Sequence, residues 1–429
     1  MRIVAAGTPE CADFLTALRE RAEGTPARAE AEVRIILEEV RARGDAALWE
    51  YARRFDGAPL GPANARLTED ERRVAAERLP AAEREALILA AQRIEAFHRR
   101  QRREPWSFTE PDGSVLGQSV RPLRRVGIYV PGGRAAYPST VLMAGIPARV
   151  AGVAEVILCT PCGADLQVNP AVLVAAELAG VSAVYRMGGA HAVAAMAYGT
   201  ASIPRVDKIV GPGNVYVAAA KRLVFGAVGI DMIAGPTEVV VVADETARPD
   251  WVAADLLAQA EHDPTAASIA VVTSRSLAER VVAAAAAQVA TLPKRAIADA
   301  ALRAHGALIV AAGVREALGV ANAIAPEHLE LMVADPWRWL PEVENAGAVF
   351  LGGTTPEVAG DYLAGPNHVL PTGGTARFAS PLSVEDFVKR TSFAALTPNA
   401  FRALAPALAR LARLEGLEGH ARSAEARLA

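Results

Sequence analysis

The segment LLAQAEHDP, residues 256–264, places two side chains that can bind a metal ion three positions apart. Gln259 offers an amide oxygen and His262 offers an imidazole nitrogen, with acidic neighbours at Glu261 and Asp263. On a helix, residues three apart share one face, with Cβ atoms about 5–6 Å apart. The spacing permits both side chains to bind one ion, but a solvent-exposed helix end would accept the same residues.

Four of the seven histidines stand beside acidic or amide residues. They are His262, His328, His368 and His420, in QAEH, PEHLE, GPNH and EGLEGH. Because no cysteine accompanies them, a structural zinc-finger site is not expected, whereas nitrogen and oxygen ligands suit a catalytic zinc or a related divalent ion. We expect His98 and His305 to be ordinary surface residues.

Two glycine turns and one cysteine pair could also be functional. GPGNVY, residues 211–216, has the first two glycines of the dinucleotide fingerprint but Tyr216 in place of the third. YVPGGRAAYPS, residues 129–139, follows a predicted strand with a different spacing, and each turn alone is a weak signal. Together the two turns indicate two phosphate-sized backbone turns within one domain. CTPC, residues 159–162, has the spacing of a redox dithiol, but GADLQVNP separates it from the next helix, which favours a simple turn.

Short apolar runs that alternate with helical stretches must position these residues. The first series is VGIYV, AEVILC, SAVYR and DKIV; the second is EVVVVAD, SIAVVT, ALIVAA, LELMVA and GAVFLGG. This alternation predicts parallel sheets covered by helices. We therefore predict an α/β fold with two doubly wound, Rossmann-like parallel-sheet domains, at residues 120–236 and 237–380.

The remaining segments have helical periodicity. We predict an N-terminal helical segment over residues 1–119 and a helical C-terminal tail over residues 381–429. The tail has an apolar stripe in NAFRALAPALARLARLEGLEGHARSAEARLA that needs a partner surface, on its own chain or on a second subunit.

Composition narrows the function classes. The 429 residues have a formal net charge of −3, which gives no field favouring nucleic acid or an anionic membrane. We expect no membrane span and no signal peptide, because no long uncharged apolar run is found. Three cysteines fit a reducing compartment. These features predict a cytoplasmic protein.

Eight segments between residues 120 and 425 resemble the histidinol dehydrogenase family, in that family's order. They are GIYVPGGRAAYPSTVLMAGIPARVAGV, KIVGPGNVYVAAAKR, DMIAGPTEVVVVAD, LLAQAEHDP, APEHLEL, GDYLAGPNHVLPTGG, SPLSVEDFVKRTSF and EGLEGHARS. The resemblance implies oxidation of L-histidinol through L-histidinaldehyde to L-histidine, with two NAD+ and one zinc ion per site. It also implies a homodimer whose C-terminal tails complete each other's active sites.

The family's functional positions transfer to this sequence one by one. The implied zinc ligands are Gln259, His262, Asp361 and His420. The implied acid/base pair is Glu327 and His328, where a neutral imidazole would serve as a base near pH 7 and the carboxylate would activate water. The other implied substrate contacts are Thr237, His368 and Glu415. The implied NAD contacts are Tyr129, His191 and Asn214.

Two positions depart from the family's pattern. His191 stands where glutamine is usual, so the affinity for NAD and its pH dependence are expected to differ. Thr237 stands where serine is usual, which keeps the hydroxyl and adds a methyl group beside the substrate.

Three other functions compete with this interpretation. A paralogous NAD-dependent alcohol dehydrogenase of the same fold, acting for example on a sulfonated diol, would be expected to alter the contacts at His368, Glu415 and His420. A zinc hydrolase that uses Glu327 would leave the first α/β domain without a role. A non-catalytic metal-binding protein would not explain why acid/base residues accompany the ligands.

Overall fold

The computed structural model describes residues 1–22, 27–132 and 136–428. Its strands are β1 (Arg2–Ala5), β2 (Trp106–Thr109), β3 (Val115–Pro122), β4 (Arg125–Tyr129), β5 (Glu155–Thr160), β6 (Ala183–Arg186), β7 (Lys208–Val210), β8 (Gly229–Ile230), β9 (Glu238–Ala243), β10 (Ala267–Val272), β11 (Ala307–Val310), β12 (His328–Met332), β13 (Ala348–Leu351) and β14 (Val388–Ala395).

Seventeen α-helices accompany these strands in the described part of the chain. They are α1 (Pro9–Ala22), α2 (Ala27–Arg43), α3 (Asp45–Phe55), α4 (Glu69–Glu77), α5 (Ala81–His98), α6 (Pro138–Ala151), α7 (Pro170–Ala179), α8 (Gly189–Tyr198), α9 (Val215–Val224), α10 (Pro249–Ala260), α11 (Arg275–Val289), α12 (Arg295–His305), α13 (Val314–Ile324), α14 (Pro336–Trp339), α15 (Glu357–Tyr362), α16 (Pro398–Leu414) and α17 (Glu418–Glu425).

The described chain divides into two compact units. Residues 1–101 and 123–387 form the first unit, and residues 102–122 and 388–429 form the second. The two predicted α/β domains lie in the first unit, apart from residues 120–122. No helix of the described residues is both long enough and apolar enough to cross a membrane.

The first predicted series of strands forms a parallel sheet with the order β6-β5-β4-β7-β8. Its side chains alternate between two cores, as a strand's period of two requires. Val156 and Leu158 pack with α6 and α7, whereas Ile157 and Cys159 pack with α2, α8 and α9. The strand order reverses between β4 and β7, and ligands bind outside the carboxyl ends of strands at such a reversal.

The second series also forms a parallel sheet, with the order β1-β11-β10-β9-β12-β13. Val240 and Val242 pack with α1 and α13, and Val239 and Val241 pack with α10 and α11. The predicted fold class, α/β with Rossmann-like parallel sheets, is confirmed.

The segment predicted as helical, residues 1–119, departs from that expectation at both ends. Four residues at its start form β1, which pairs with β11 far along the sequence. At its other end β2 and β3 form an antiparallel sheet with β14, in the order β14-β3-β2, inside the second unit. The segment predicted as a helical tail, residues 381–429, likewise contains β14 before α16 and α17. These strands pair at a distance along the chain, so local periodicity does not report them.

Candidate active site

A pocket of about 260 Å³ lies in the first unit. One wall is made by segments that follow β4, β7 and β8, at the carboxyl edge of the first sheet. The other wall lies at the amino ends of β9 and β12 in the second sheet. Of the predicted site residues, the pocket is lined by Thr237, His262, Glu327, His328, Asp361 and His368.

The pairing of β9 with β12 brings Thr237 and Glu327 together. The strands are parallel, with His328 opposite Val239, so the residues that precede them meet at one edge. Glu327 accepts hydrogen bonds from the Thr237 hydroxyl and, at 3.1 Å, from the backbone N–H of Glu238. Burial raises the pKa of Glu327, but His328 and these donors outweigh burial and hold the pKa below its usual value. Glu327 is therefore ionised at neutral pH.

His328 begins β12 and is buried between two carboxylates. Its Nε2 lies 3.6 Å from Glu327 Oε1 and 3.7 Å from Glu357 Oε1. Burial lowers the pKa of His328, but the charges of Glu357 and Glu327 outweigh burial and raise the pKa to about 10. With both carboxylates charged, His328 is therefore protonated near pH 7, which differs from the neutral imidazole expected from the sequence. Positive charge beside Glu357 would oppose the two carboxylates and lower the pKa.

Gln259 and His262 lie at the end of α10. The helix ends at Ala260, so Gln259 is in its last turn and His262 follows the helix, with its backbone N–H 3.3 Å from the Gln259 carbonyl oxygen. Gln259 is fully buried and His262 is exposed towards the pocket. The expected pairing of an amide and an imidazole is thus present, with the imidazole just beyond the helix.

A cluster with the dimensions of a metal site includes two of the predicted ligands. One ligand atom each from His262, Glu357 and Asp361 lies within 4.8 Å of the other two. Carboxylate and imidazole donors suit zinc and other divalent ions. His420, the fourth predicted ligand, belongs to the second unit.

The amide of Gln259 provides a test of whether the residues fit an ion. In one orientation Nε2 donates to Thr237 Oγ1 at 2.6 Å, and Oε1 then lies 2.8 and 3.1 Å from the Glu357 carboxylate oxygens. That orientation sets two acceptors against each other at Glu357 and two donors against each other at the Glu238 N–H, so it is unfavourable. In the opposite orientation the amide nitrogen donates to Glu357 and the oxygen accepts from the backbone N–H of Glu238 at 3.0 Å. Gln259 thus donates to Glu357, and the fit to a divalent ion rests on the donor types and the spacing of His262, Glu357 and Asp361.

His368 is held against the same helix as Asp361. Its Nδ1 donates to the Asp361 carbonyl oxygen at 2.9 Å, which leaves Nε2 facing Thr140 Oγ1 at 3.5 Å. Burial lowers the pKa of His368 and so favours the neutral ring. The predicted substrate contacts Thr237 and His368 thus line one pocket.

The three predicted NAD contacts lie at the carboxyl edge of the first sheet. Tyr129 ends β4, and its hydroxyl accepts from the Gly189 N–H at 3.0 Å. His191 is fully buried, with Nε2 3.2 Å from Asp56 Oδ2. Asn214 is exposed and caps α9. Thus Asn214 is open to a ligand, whereas the other two side chains are buried and hydrogen-bonded. The segment 133–135 of the predicted glycine turn lies outside the described residues.

Glu415 and His420 lie in the second unit. Glu415 caps the end of α16 and His420 lies in α17. Both are exposed and line a groove that also contains Leu408 and Leu411.

Three charged residues of the pocket wall are absent from the predictions made from sequence. They are Glu357, Lys221 and Asp231. The first had a signal, because Glu357 and Asp361 are four residues apart and share a helix face if EVAGD is helical. The ion pair of Lys221 with Asp231 joins α9 to the segment after β8, and nothing in the local sequence indicates that contact.

Another histidine has surroundings that differ from those expected. His98, expected at the surface, is fully buried, with Nδ1 2.6 Å from Gln101 Oε1 and Nε2 3.3 Å from Asn367 Nδ2. His98 ends α5, whose apolar face packs into the core. The charged residues next to His98 in the sequence gave no indication of this burial.

Comparison with known proteins gives one consistent family. The family model described as histidinol dehydrogenase matches residues 19–428. Histidinol dehydrogenase of Syntrophotalea carbinolica is 52% identical over 428 residues, covering 100% of this chain and 99% of the relative. That of Geobacter sulfurreducens is 54% identical over 414 residues, covering 96% of each. The crystal structure of histidinol dehydrogenase from Elizabethkingia anophelis superposes with a TM-score of 0.94 at 36% identity, covering 100% of this chain and 98% of that one.

Proposed function

The chain belongs to the histidinol dehydrogenase family, and we propose that it oxidises L-histidinol through L-histidinaldehyde to L-histidine, with two NAD+ and a zinc ion. Histidinol oxidation places it in histidine biosynthesis. The observation that supports the chemistry best is the adjacency of Glu327 and His328 to the cluster of His262 and Asp361 in one pocket.

The first oxidation removes a proton from the alcohol oxygen and a hydride from its carbon. His328 lines the pocket and accepts this proton in its neutral form, which a positive charge beside Glu357 would favour by opposing the two carboxylates that raise the pKa of His328. Glu327 and Glu357 orient the ring through Nε2. The hydride passes to NAD+, so two electrons leave the substrate and one NADH forms.

The second oxidation needs water to add to the aldehyde carbon before another hydride leaves. Glu327 is an ionised carboxylate that also faces the pocket, and it can take a proton from that water. Thr237 and the Glu238 N–H hold one of its oxygens, which leaves the other towards His328. The aldehyde and one water then yield the acid with a second NADH, for four electrons in all.

Gln259, His262 and Asp361 would hold the zinc ion, together with His420. A bound zinc ion would supply a Lewis acid able to bind the imidazole and amine nitrogens of histidinol. His368 stands on the far side of Asp361 with a neutral ring, suited to a hydrogen bond with the substrate.

NAD+ would bind at the carboxyl edge of the first sheet, where the strand order reverses and where Tyr129, His191 and Asn214 lie. Asn214 is the position open to direct contact. His191, paired with Asp56, would act by fixing the segment around Gly188 and Gly189.

The exposed groove of the second unit supports a homodimer. Leu408 and Leu411 remain exposed on α16 beside Glu415 and His420, although the helix is strongly amphipathic. We propose that this groove meets a second copy, whose active site receives Glu415 and His420. A cytoplasmic location is part of the same proposal.

The stoichiometry of NADH formation tests the reaction. The purified, zinc-loaded protein should form two NADH per L-histidinol consumed, followed by the absorbance of NADH with histidine quantified in parallel. His328→Asn should lower kcat by about two to four orders of magnitude, the range for loss of a general base, at unchanged zinc content. His305→Asn, a change at the end of α12, is the matched control and should keep full activity. No NADH from the zinc-loaded protein would refute the assignment. Loss of zinc in His328→Asn would show that His328 supports ion binding rather than acting as an acid or base.

A further inference from the structure

Glu357 is a buried acid that lies beside the cluster of His262 and Asp361 as well as beside His328. It begins α15, four residues before Asp361, and its side chain is 2% exposed. One of its carboxylate oxygens lies within 4.8 Å of donor atoms of both His262 and Asp361. Ligand atoms at about 2.0–2.2 Å from zinc lie roughly 3–4.4 Å from one another, so the cluster is close to the size of a coordination shell.

The charges around Glu357 call for a cation. Its ion-pair partner among the described residues is His328, at 3.7 Å, and that imidazole is shared with Glu327. Asp361 adds a third carboxylate, and its own ion-pair partner is His368, at 4.0 Å. Buried carboxylates without an opposing charge are costly, and a divalent ion would supply that charge.

A contact with Glu330 positions the backbone of Glu357. Its backbone N–H donates to Glu330 Oε1 at 2.6 Å. Glu330 and His328 are two residues apart on β12, so both face α10, and Asp255 and Gln259 are four residues apart on that helix. Burial raises the pKa of Glu330, as does the nearby charge of Asp255. The carboxylate of Glu357 is the one that faces the pocket.

Gln259 lies in contact with the Glu357 carboxylate. With the amide oxygen towards Glu357, two acceptors face each other at 2.8 and 3.1 Å and the amide nitrogen faces the Glu238 N–H, so this orientation is unfavourable. In the opposite orientation the amide donates to the same carboxylate. Glu357 is therefore in contact with Gln259 in either orientation.

We propose that Glu357 is a ligand of the divalent ion in the substrate-free enzyme, beside His262, Asp361 and Gln259 of the same chain. This rests on the zinc site of the proposed function. It adds a carboxylate that holds the ion before a substrate nitrogen is available.

Cobalt(II) tests the proposal without an activity readout. The zinc-free protein is titrated with Co²⁺, without histidinol, against a competing chelator, and the visible d–d spectrum is recorded. Glu357→Gln should lower the affinity at least about 100-fold, the upper end for loss of an outer-shell partner, and should change the d–d bands. Glu261→Gln is the matched control, since it removes a charge beside His262 from outside the cluster, and it should bind Co²⁺ as the wild type does.

Glu357→Asp guards against a folding defect in the first variant. It keeps the charge but shortens the reach, so its Co²⁺ affinity should lie between those of the wild type and Glu357→Gln. An unchanged spectrum in both Glu357 variants would overturn the proposal, whatever the affinity, because Glu357 would then only orient Gln259. Wild-type protein that binds no Co²⁺ would instead overturn the ion site itself, and the proposal with it.

Discussion

The buried ion pair of Lys221 and Asp231 should position the turn that precedes Asn214. Both side chains are nearly inaccessible, at 3% and 1% exposure. They hold Gly211 from two sides, because Asp231 Oδ2 accepts from its N–H and Lys221 Nζ donates to its carbonyl oxygen, each at 2.8 Å. Gly211 has φ +114°, and a Cβ there would collide with the Tyr129 carbonyl oxygen, so the turn has no freedom to adjust.

The loss of unfolding free energy in each variant depends on which charged side chain remains buried without its partner. In Lys221→Met, Asp231 remains buried without its counter-ion, a loss of about 3–5 kcal/mol of unfolding free energy. Asp231→Asn should cost a similar amount by stranding Lys221. In the double variant no unpaired charge remains, and the amide oxygen introduced by Asp231→Asn can still accept from Gly211. The cost of the double variant should fall to about 1–2 kcal/mol, the worth of the lost hydrogen bond from Lys221.

Urea unfolding of the three variants, with the KM for NAD+ measured on each, gives the required readouts. We expect each single variant to raise this KM about tenfold, because the turn before Asn214 loses one of its two anchors, while zinc content stays unchanged. Lys208→Met is the control, since its ion pair with Asp386 is longer, at 3.5 Å, and more exposed, so its removal should cost at most about 1 kcal/mol. A double variant as destabilised as the sum of the single variants would refute the buried pairing, and an unchanged KM for NAD+ would refute the positioning role.

Two further predictions use other parts of the chain. Burial lowers the pKa of His98 below 6.5, so below that pH the unfolded chain binds a proton that the folded chain refuses. The stability that a neutral His98 contributes is thus fully present above pH 6.5 and declines below it. We expect His98→Gln to flatten this decline in urea midpoints measured from about pH 7.5 to 5.5. An equal decline in the wild type and the variant would contradict the assignment. Separately, mixing His262→Ala chains with His420→Ala chains should restore part of the activity by forming one intact site per dimer. No recovery in verified mixed dimers would rule out shared sites.

Local sequence patterns were sufficient to predict the strands that are buried on both faces. EVVVVAD and SIAVVT became β9 and β10, since a parallel strand covered by helices must be apolar throughout. The same reasoning had no signal for β1, whose four residues include a charge and find their partner only in β11. Short strands that depend on distant partners carry too few residues for a period to emerge.

Within the site, residue types were easier to predict than surroundings. Glu327 and His328 were expected as an acid/base pair; His328 begins β12 and Glu327 directly precedes it. That placement puts His328 opposite Glu357, which raises its pKa and which no feature near PEHLE could reveal. The protonation state of a buried histidine depends on groups that the fold brings from elsewhere.

The pocket lies at the carboxyl edge of the first sheet and at the amino edge of the second sheet. The linker between the sheets therefore connects the two walls of the pocket. In the second sheet Asp244 links the segments that follow β9 and β12, because it accepts from Thr246 N and Ala334 N at 2.9 Å each. The chemical groups are instead at the amino edge, next to Thr237. Residues 231–237 therefore join the Gly211 turn, through Asp231, directly to the hydroxyl that holds Glu327. A shift in the proposed cofactor turn would reach the proposed catalytic carboxylate through this short stretch of chain, so disturbances at Asp231 should alter both NAD+ binding and the proposed acid/base pair, whereas changes at Asp244 should alter neither.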